Sequence, residues 1–384
     1  IFSMLRIQIP HYLYLVLRYA ALMYLFVKYI KTARHQKYIY LMIAGYGVVL
    51  VFSTLQNGMG INNAISAFSY IIQIVDTYFL ISSTKISSQK KAKSIFGVLL
   101  FLSLITDVMI VVLPYDVTAP AVQYLVGTKF TVSYVHCLMI CLFEYYDINW
   151  GVKHKSLYYV LLVGSVIITR LVNCSTGTVM CALIFLLHII PLRLWKSLCN
   201  WKAVAIVSIA ITVLLFGEMT VLNNDTFINT VTRIFNKNVN LTGRTYIFRY
   251  LPVVIARKPW IGYGYYNSVV AIYMGTEGAN PQNGFMKIIM DSGFFGLAFY
   301  IGLMFSSIVN TAKHYEKLYP LYIFFYVMLI VSAIEINLTG GLFFLIMAMI
   351  YSSAKELSIE DQKQADYSSA PRKRKRIRFK RIRG

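Results

Sequence analysis

Hydrophobic positions along the chain fall in long runs. Runs near 20 residues recur at 8–30, 38–55, 62–81, 95–113, 120–143, 156–173, 175–190, 203–222, 283–309, 320–336 and 338–354. A helix needs about 20 apolar residues to cross the hydrocarbon core of a bilayer. The pattern predicts an all-α, polytopic integral membrane protein with about eleven transmembrane helices. The pair at 156–190 is divided only by the polar cluster Asn173–Thr176, and the pair at 320–354 only near Asn337.

Between the hydrophobic runs lies one long polar passage, Asn223 to about Phe294. It predicts a single transmembrane domain, residues 1–354, with a large loop at 223–282. A tail at 355–384 follows, expected to be cytoplasmic, polybasic and disordered. Within the loop a helix is expected at 244–256, because Ile247, Phe248, Leu251, Val254 and Ile255 recur at helical spacing. Such an apolar face suits the bilayer or the helix bundle. Pro252 is expected to interrupt or kink that helix, and Pro259 to stop it. Asn280 and Pro281 form a cap and first turn for the span that begins near 283.

Lysine and arginine set the orientation. Lys31, Arg34 and Lys37 share one side with Lys85, Lys90, Lys91 and Lys93. Lys153, Lys155, Arg193, Lys196, Lys202, Lys313, Lys317 and the C-terminal tail fall on that side too. The alternating short loops 56–61 and 114–119 carry neither residue. An outer N-terminus, an outer long loop and a cytoplasmic C-terminus follow. The chain begins at Ile1, so an earlier span is conceivable; no cleavable signal peptide is visible.

Composition agrees with this picture. Of 384 residues, 58% are hydrophobic and 14% charged, against roughly 25% charged in soluble domains. The net charge of +22 sits largely in PRKRKRIRFKRIRG at the end and in short loops. This is not the footprint of a soluble nucleic-acid binder. The tail is instead expected to attract anionic lipid. The five cysteines lie in or beside apolar runs without a CxxC pair, which favours packing over a metal site or disulfides.

The outer loop carries Arg233, Lys237, Arg244, Arg249, Arg257 and Lys258, which suggests a negatively charged ligand. Guanidinium groups grip phosphate through paired donors, and a helix N-terminus adds unpaired amides. Gly243-Arg244 opens the loop helix, and Arg170 stands at the outer end of its span. Tyr263 and Tyr265, in the aromatic cluster 263–266, are candidates for stacking on sugar rings. Asp76, Asp107, Glu144, Glu218, Glu335, Lys129, His136 and His188 lie in or near spans, where they serve as pairs, snorkel, or form a transporter's relay. No Walker loop, HExxH, GxSxG or DxD-type pair is present.

The run GRTYIFRYLPVVIARKPWIGYGYYNSVV, with NPQNGFMKIIMDSGFFGLAFYIGLMF after it, resembles the core of the O-antigen ligase and polysaccharide polymerase (Wzy-type) superfamily. Gly243-Arg244, Phe248, Pro259, Gly262, Gly264, Asn283, Asp291, Gly293 and Gly296 match that pattern. Two positions depart from it. Gln282 stands where the family's ligases carry His, and it cannot act as a general base. Cys174-Ser175-Thr176-Gly177 stands where the family often has Ser-Arg, with Arg170 about one turn earlier.

The resemblance implies a bacterial inner-membrane polymerase that joins undecaprenyl-diphosphate-linked oligosaccharide units on the outer face. No metal or other cofactor is needed. By this resemblance Arg244, with Arg170, Arg249 or Arg257, stabilises the departing diphosphate. Gln282 and Asn283 position the acceptor hydroxyl, and Asp291 is the candidate base. A flippase and a chain-length regulator of the same pathway are the implied partners, beside the bilayer and the lipid-linked substrate; no nucleic acid is implied. The alternatives are an O-antigen-type ligase and a lipid-linked oligosaccharide flippase.

Overall fold

The computed structural model describes residues 36–83, 86–113, 123–150, 154–221, 244–275, 279–309 and 311–369, with isolated helical positions between 13 and 27. The loop segment 222–243, the short loop 114–119 and the tail 371–384 lie outside the described residues. Three helices open the described chain: α1 (Lys37–Gln56), α2 (Ile61–Ser83) and α3 (Ser88–Val112). A small antiparallel hairpin, β1 (Gln123–Tyr124) and β2 (Gly127–Thr128), leads into α4 (Lys129–Trp150). Then come α5 (Lys155–Leu171), α6 (Ser175–His188), α7 (Leu192–Leu198) and α8 (Trp201–Val221). The large loop contributes α9 (Arg244–Arg257) and α10 (Val269–Met274). The chain ends with α11 (Gly284–Ile308), α12 (Tyr315–Val331) and α13 (Gly341–Ser369).

Helices occupy every predicted run from residue 38 onward. Five of them are long and apolar enough to cross a membrane: Lys37–Gln56, Ile61–Ser82, Ser88–Val112, Gly284–Ile308 and Gly341–Ala365. Helices α6 and α7, bent by 112° at their junction, make a sixth if counted as one span. The expected number of about eleven is therefore not confirmed, in part because α5 and α12 have 17 residues and α6 only 14. The hairpin also replaces the start of the helix expected from residue 120. The lipid-facing surface is explicit on α3, where Val98, Phe101, Leu104, Val108 and Val111 are exposed. So wide an apolar face is stable only in contact with lipid or a partner. This is a multi-pass membrane protein.

The core is formed where α11 packs along α1, α13 along α2, and α12 against α4 and α6. Tyr300, Phe324, Phe325, Phe343 and Ile346 are buried there. A second cluster joins the large loop to the bundle. Ile247, Phe248, Leu251 and Val254 of α9 pack with Val270 of α10 on Met286, Ile289 and Met290 of α11. The apolar face read from the sequence thus covers the bundle. Pro252 lies inside α9 without breaking it. The buried residues on either side of it offset the cost of about 3 kcal/mol that a proline imposes on a helix interior.

Two boundaries differ from expectation. Helix α13 does not end at 354 but runs on to Ser369. Its extension KELSIEDQKQA is rich in helix formers, and the Glu356 carboxylate accepts a bond from the Ser88 amide at 2.6 Å. Helix α11 is broken at Gly293, whose φ of 63° and ψ of −169° lie outside the helical region. The break exposes backbone groups that cannot remain unpaired in a membrane, and the loop after α9 satisfies them. Tyr263 N–H donates to the Met290 carbonyl at 2.7 Å and Gly264 N–H to that of Asp291 at 3.0 Å. In return Phe294 N–H donates to the Pro259 carbonyl at 2.8 Å and Phe295 N–H to that of Trp260 at 3.1 Å.

Glycine is required on both sides of this exchange. A Cβ on Gly262, at φ 70°, would lie 2.7 Å from the Met290 oxygen and 2.7 Å from the Gly293 nitrogen. A Cβ on Gly293 would overlap the Trp260 carbonyl and the Ile261 nitrogen. Gly293→Ala is therefore expected to destabilise the purified protein by at least about 2 kcal/mol, since left-handed strain alone costs about 1–2 kcal/mol. Gly97→Ala, whose added methyl meets open space, is expected to stay within about 1 kcal/mol of the native chain. Thermal unfolding in detergent compares the two, and equal melting would refute the role assigned to the break.

Candidate active site at the helix ends

The hairpin, the start of α11 and the turn between α12 and α13 converge. There they enclose a pocket of about 410 Å³, within the size range of small-molecule sites. Its lining includes Thr128, Thr131, Tyr134, Asn280, Gln282, Glu335, Asn337 and Gly341. Apolar Met328, Ile336 and Leu342 and the rings of Phe130 and Tyr134 complete a lining in which hydroxyls, amides and one carboxylate stand among apolar surfaces, as sugar rings with their polar edges and apolar faces require.

Local backbone chemistry explains the convergence. Asn283 caps α11: its Oδ1 accepts from Met286 N–H at 2.9 Å, satisfying an amide the helix start leaves unpaired. Its Nδ2 donates to the Ala333 carbonyl at 3.0 Å, and Gly284 N–H donates to the Ser332 carbonyl at 2.8 Å. These two bonds fasten the start of α11 to the turn after α12. Gln282, one residue earlier, adopts a left-handed φ of 51°, and its N–H donates to Asn280 Oδ1 at 3.0 Å.

Within that turn Glu335 N–H donates to the Val331 carbonyl at 3.0 Å. The Glu335 side chain is buried, at 7% exposure. Thr176, on the first turn of α6, donates to its Oε1 at 3.1 Å. Asn337 is 1% exposed and donates through Nδ2 to the Met328 carbonyl at 2.6 Å. Its Oδ1 is buried without a hydrogen-bond partner among the described residues. Lys129, which opens α4, and Glu335 both act electrostatically on Cys174, just before α6. The pocket thus has a cation in its neighbourhood as well as a carboxylate in its wall.

Of the residues singled out from the sequence, Gln282 lines this pocket. Asn283 is fully buried in the capping arrangement beside it. Asp291 lies in α11, where its Oδ1 accepts from Lys287 Nζ at 2.7 Å and from Asn267 Nδ2 at 2.8 Å. Asn267 also donates to the Gly264 carbonyl at 2.7 Å, so Asp291 holds the loop onto the broken helix. Arg170 is exposed in the last turn of α5. Arg257 is exposed, with its guanidinium 5.2 Å from the centre of the Tyr273 ring. The side chains of Arg244 and Arg249 lie outside the described residues.

The two loop tyrosines have partners of their own. Tyr263 donates its hydroxyl to the Val254 carbonyl at 2.6 Å and lies under Lys258 Nζ, 5.5 Å from the ring centre. Burial raises its phenol above the ordinary value, which keeps it a donor. Tyr265 stacks on Tyr70 at 5.4 Å, and its N–H donates to Thr54 Oγ1 at 2.9 Å. Lys258 reaches the Asn57 side chain, whose Nδ2 donates to the Gly262 carbonyl at 3.1 Å. These contacts tie the aromatic loop to the C-terminal end of α1.

Glu335, Asn337, Thr131 and Thr176 were not assigned to a site from the sequence. Glu335 gave one signal, an acid near the end of an apolar run. The others read as a polar split or as cap residues, because their convergence depends on long-range packing. All five cysteines are buried and unbridged. Among the described residues no group of three or more His, Cys, Asp or Glu side chains is arranged to hold a metal.

Residues 157–301 match the family model described as O-antigen ligase. Over that stretch, from α5 into α11, the chain is similar to that family. No curated protein matches the chain.

The pairing of Asp291 can be tested apart from any activity. Lys287→Met leaves a buried carboxylate without its cation, and removing one partner of such a pair costs about 3 kcal/mol. A lowered melting temperature is expected, with part of the loss recovered in the Lys287→Met/Asp291→Asn double variant. Melting of the single variant at the native temperature would show that the pair does not hold the loop.

Proposed function

We propose that this chain, bearing an O-antigen ligase domain, is a polymerase of lipid-linked oligosaccharide repeat units. It would join undecaprenyl-diphosphate-linked units into capsular, exo- or O-antigen polysaccharide at the outer face of the bacterial inner membrane. The observation that carries this reading is the pocket of hydroxyls, amides and a buried carboxylate at the outer helix ends, inside a multi-pass protein whose matched domain includes Gln282.

In this reading the acceptor hydroxyl attacks the anomeric carbon of the donor sugar. The bond from that carbon to the phosphate oxygen breaks, and its electron pair leaves with the lipid diphosphate. Positive charge builds on the sugar and negative charge on the leaving group. The diphosphate linkage supplies the driving energy. Arg244 at the start of α9, with Arg170, Arg249 and Arg257, stabilises the departing charge. Gln282 orients the acceptor. A glutamine in place of histidine at this position favours polymerisation over ligation to a lipid core.

The test is glycan length in a host that makes the matching lipid-linked unit and lacks its own polymerase. The native chain is expected to give a ladder of lengths on a gel. Arg244→Ala, shown to be inserted and folded, is expected to lose about 10²–10³ in rate, which collapses the ladder towards a single repeat. A single repeat from the native chain, with units reaching the outer face, would favour a ligase. Units that reach the outer face only when the chain is present would make it a flippase.

A further inference from the structure

We infer that a second pocket, at the other end of α4, holds the headgroup of a zwitterionic phospholipid, with its primary ammonium at Glu144 and its phosphate at Lys155. This pocket measures about 220 Å³ and lies between the last turns of α4, the first turns of α5, the end of α6 and the start of α12. Thr131 lines the first pocket and Asp147 the second, and a helix rise of 1.5 Å per residue puts those two positions about 24 Å apart. The volume is below that of sites that enclose a whole drug-sized ligand, about 300 Å³ or more. It suits one end of a larger molecule.

Glu144 calls for a cation. Its side chain is buried, at 5% exposure. Its Oε1 is engaged: His188 Nδ1 lies 2.7 Å away and the Tyr319 hydroxyl donates to it at 2.9 Å. Its Oε2 is buried without a hydrogen-bond partner among the described residues, and so is the Tyr158 hydroxyl. Two such groups in one small pocket are costly unless a ligand meets them. An ammonium with several N–H donors satisfies the carboxylate oxygen and offsets its charge. The rings of Tyr158, Tyr159 and Tyr319 border the same space, and aromatic faces attract cations. His188 stacks on Tyr158 at 4.3 Å and holds that ring in place. A quaternary ammonium meets the rings but carries no N–H for Oε2, so the lining favours a primary one. Asp147, the other carboxylate of the lining, is taken up by His154, whose N–H donates to it at 3.1 Å.

Lys155 and the surface beside the pocket indicate what carries the ammonium. Lys155 opens α5, lines the pocket and is exposed. The start of α5 has no side-chain cap, so its first amides and the lysine together favour a phosphate. From the rim of the pocket Tyr159, Val163 and Ile167 follow at four-residue steps along α5, and all three are exposed. In a membrane protein such a row suits an acyl chain. Ammonium, phosphate and acyl chain in that order describe a phospholipid with an ethanolamine-type headgroup. A free amine would use only the first of these features, and a soluble phosphoamine only the first two.

The assignment is tested with purified, delipidated full-length protein in detergent. Its melting temperature is titrated with short-chain phosphatidylethanolamine, with phosphatidylcholine of the same chains and with soluble phosphoethanolamine. The native protein is expected to bind phosphatidylethanolamine about tenfold more tightly than phosphatidylcholine, the difference that one charge-assisted hydrogen bond makes. Glu144→Gln keeps the size of the side chain and can still accept from Tyr319, and it is expected to lose that preference. Tyr158→Phe removes a hydroxyl that has no partner and keeps the ring. Without lipid it is expected to melt no lower than the native chain, and it is expected to bind phosphatidylethanolamine about fivefold more weakly. Lys155→Ala is expected to weaken both lipids alike. Equal native affinity for the two lipids, or a preference that Glu144→Gln retains, overturns the assignment. If Glu144→Gln does not fold, Tyr158→Phe decides, and undiminished affinity overturns it. Soluble phosphoethanolamine that binds as tightly as the lipid overturns the lipid as occupant. Each readout is binding without turnover, so failure here leaves the polymerase reading standing.

Discussion

A break in a membrane helix leaves amides and carbonyls that neither lipid nor the helix itself can satisfy. In α11 the break at Gly293 is closed by four backbone bonds exchanged with residues 259–264, each between 2.7 and 3.1 Å. The arrangement works only if the two backbones approach without side chains between them. Glycine at 262 and 293 allows this. The large loop is therefore attached to the bundle through its main chain. Side-chain contacts from Asn267, Lys287, Asp291 and Asn57 reinforce that attachment.

This attachment determines what the rest of the outer face can do. With the loop held on α11, α9 buries Ile247, Phe248, Leu251 and Val254 against Met286, Ile289 and Met290. The segment from Asn280 to Asn283 must then enter α11 from a fixed direction. Asn283 completes that fixation by capping α11 and bonding the Ala333 carbonyl. Gln282 consequently reaches the pocket in a left-handed conformation that a free loop would not choose. The strain is small beside the several bonds that impose it.

Much of the architecture was legible in the sequence because membrane helices announce themselves by length and hydropathy. The helix from Arg244 and its apolar face were also visible, as local patterns; the cap of α11, expected at Asn280 and Pro281, is instead Asn283. What was hidden depended on contacts distant in the chain. Asp291 drew notice as an acid in a span, yet its partners Lys287 and Asn267 tie it to the loop. The tyrosines at 263 and 265 looked like a surface cluster, but Tyr70, Val254 and Thr54 engage them. The extension of α13 was masked by its polarity, since residues beyond 354 no longer resemble a span but still favour helix. Glu335 looked like one of several scattered intramembrane charges until Thr176 and Gln282, 159 and 53 positions away in sequence, arrived beside it.

The separation of tasks along the outer face follows from electrostatics. A cation cluster suited to a diphosphate and a carboxylate suited to proton transfer would neutralise each other if they formed direct ion pairs. Asp291 pairs directly with Lys287 at 2.7 Å, and that pair holds structure. Glu335 accepts a bond at 3.1 Å from the Thr176 hydroxyl, which fixes the orientation of its carboxylate. A carboxylate bound to lysine is a poor base, because the nearby cation favours its ionised form. Two acidic residues 44 positions apart thus hold different parts of the fold: Asp291 fastens the loop to α11, and Glu335 joins the turn after α12 to the start of α6.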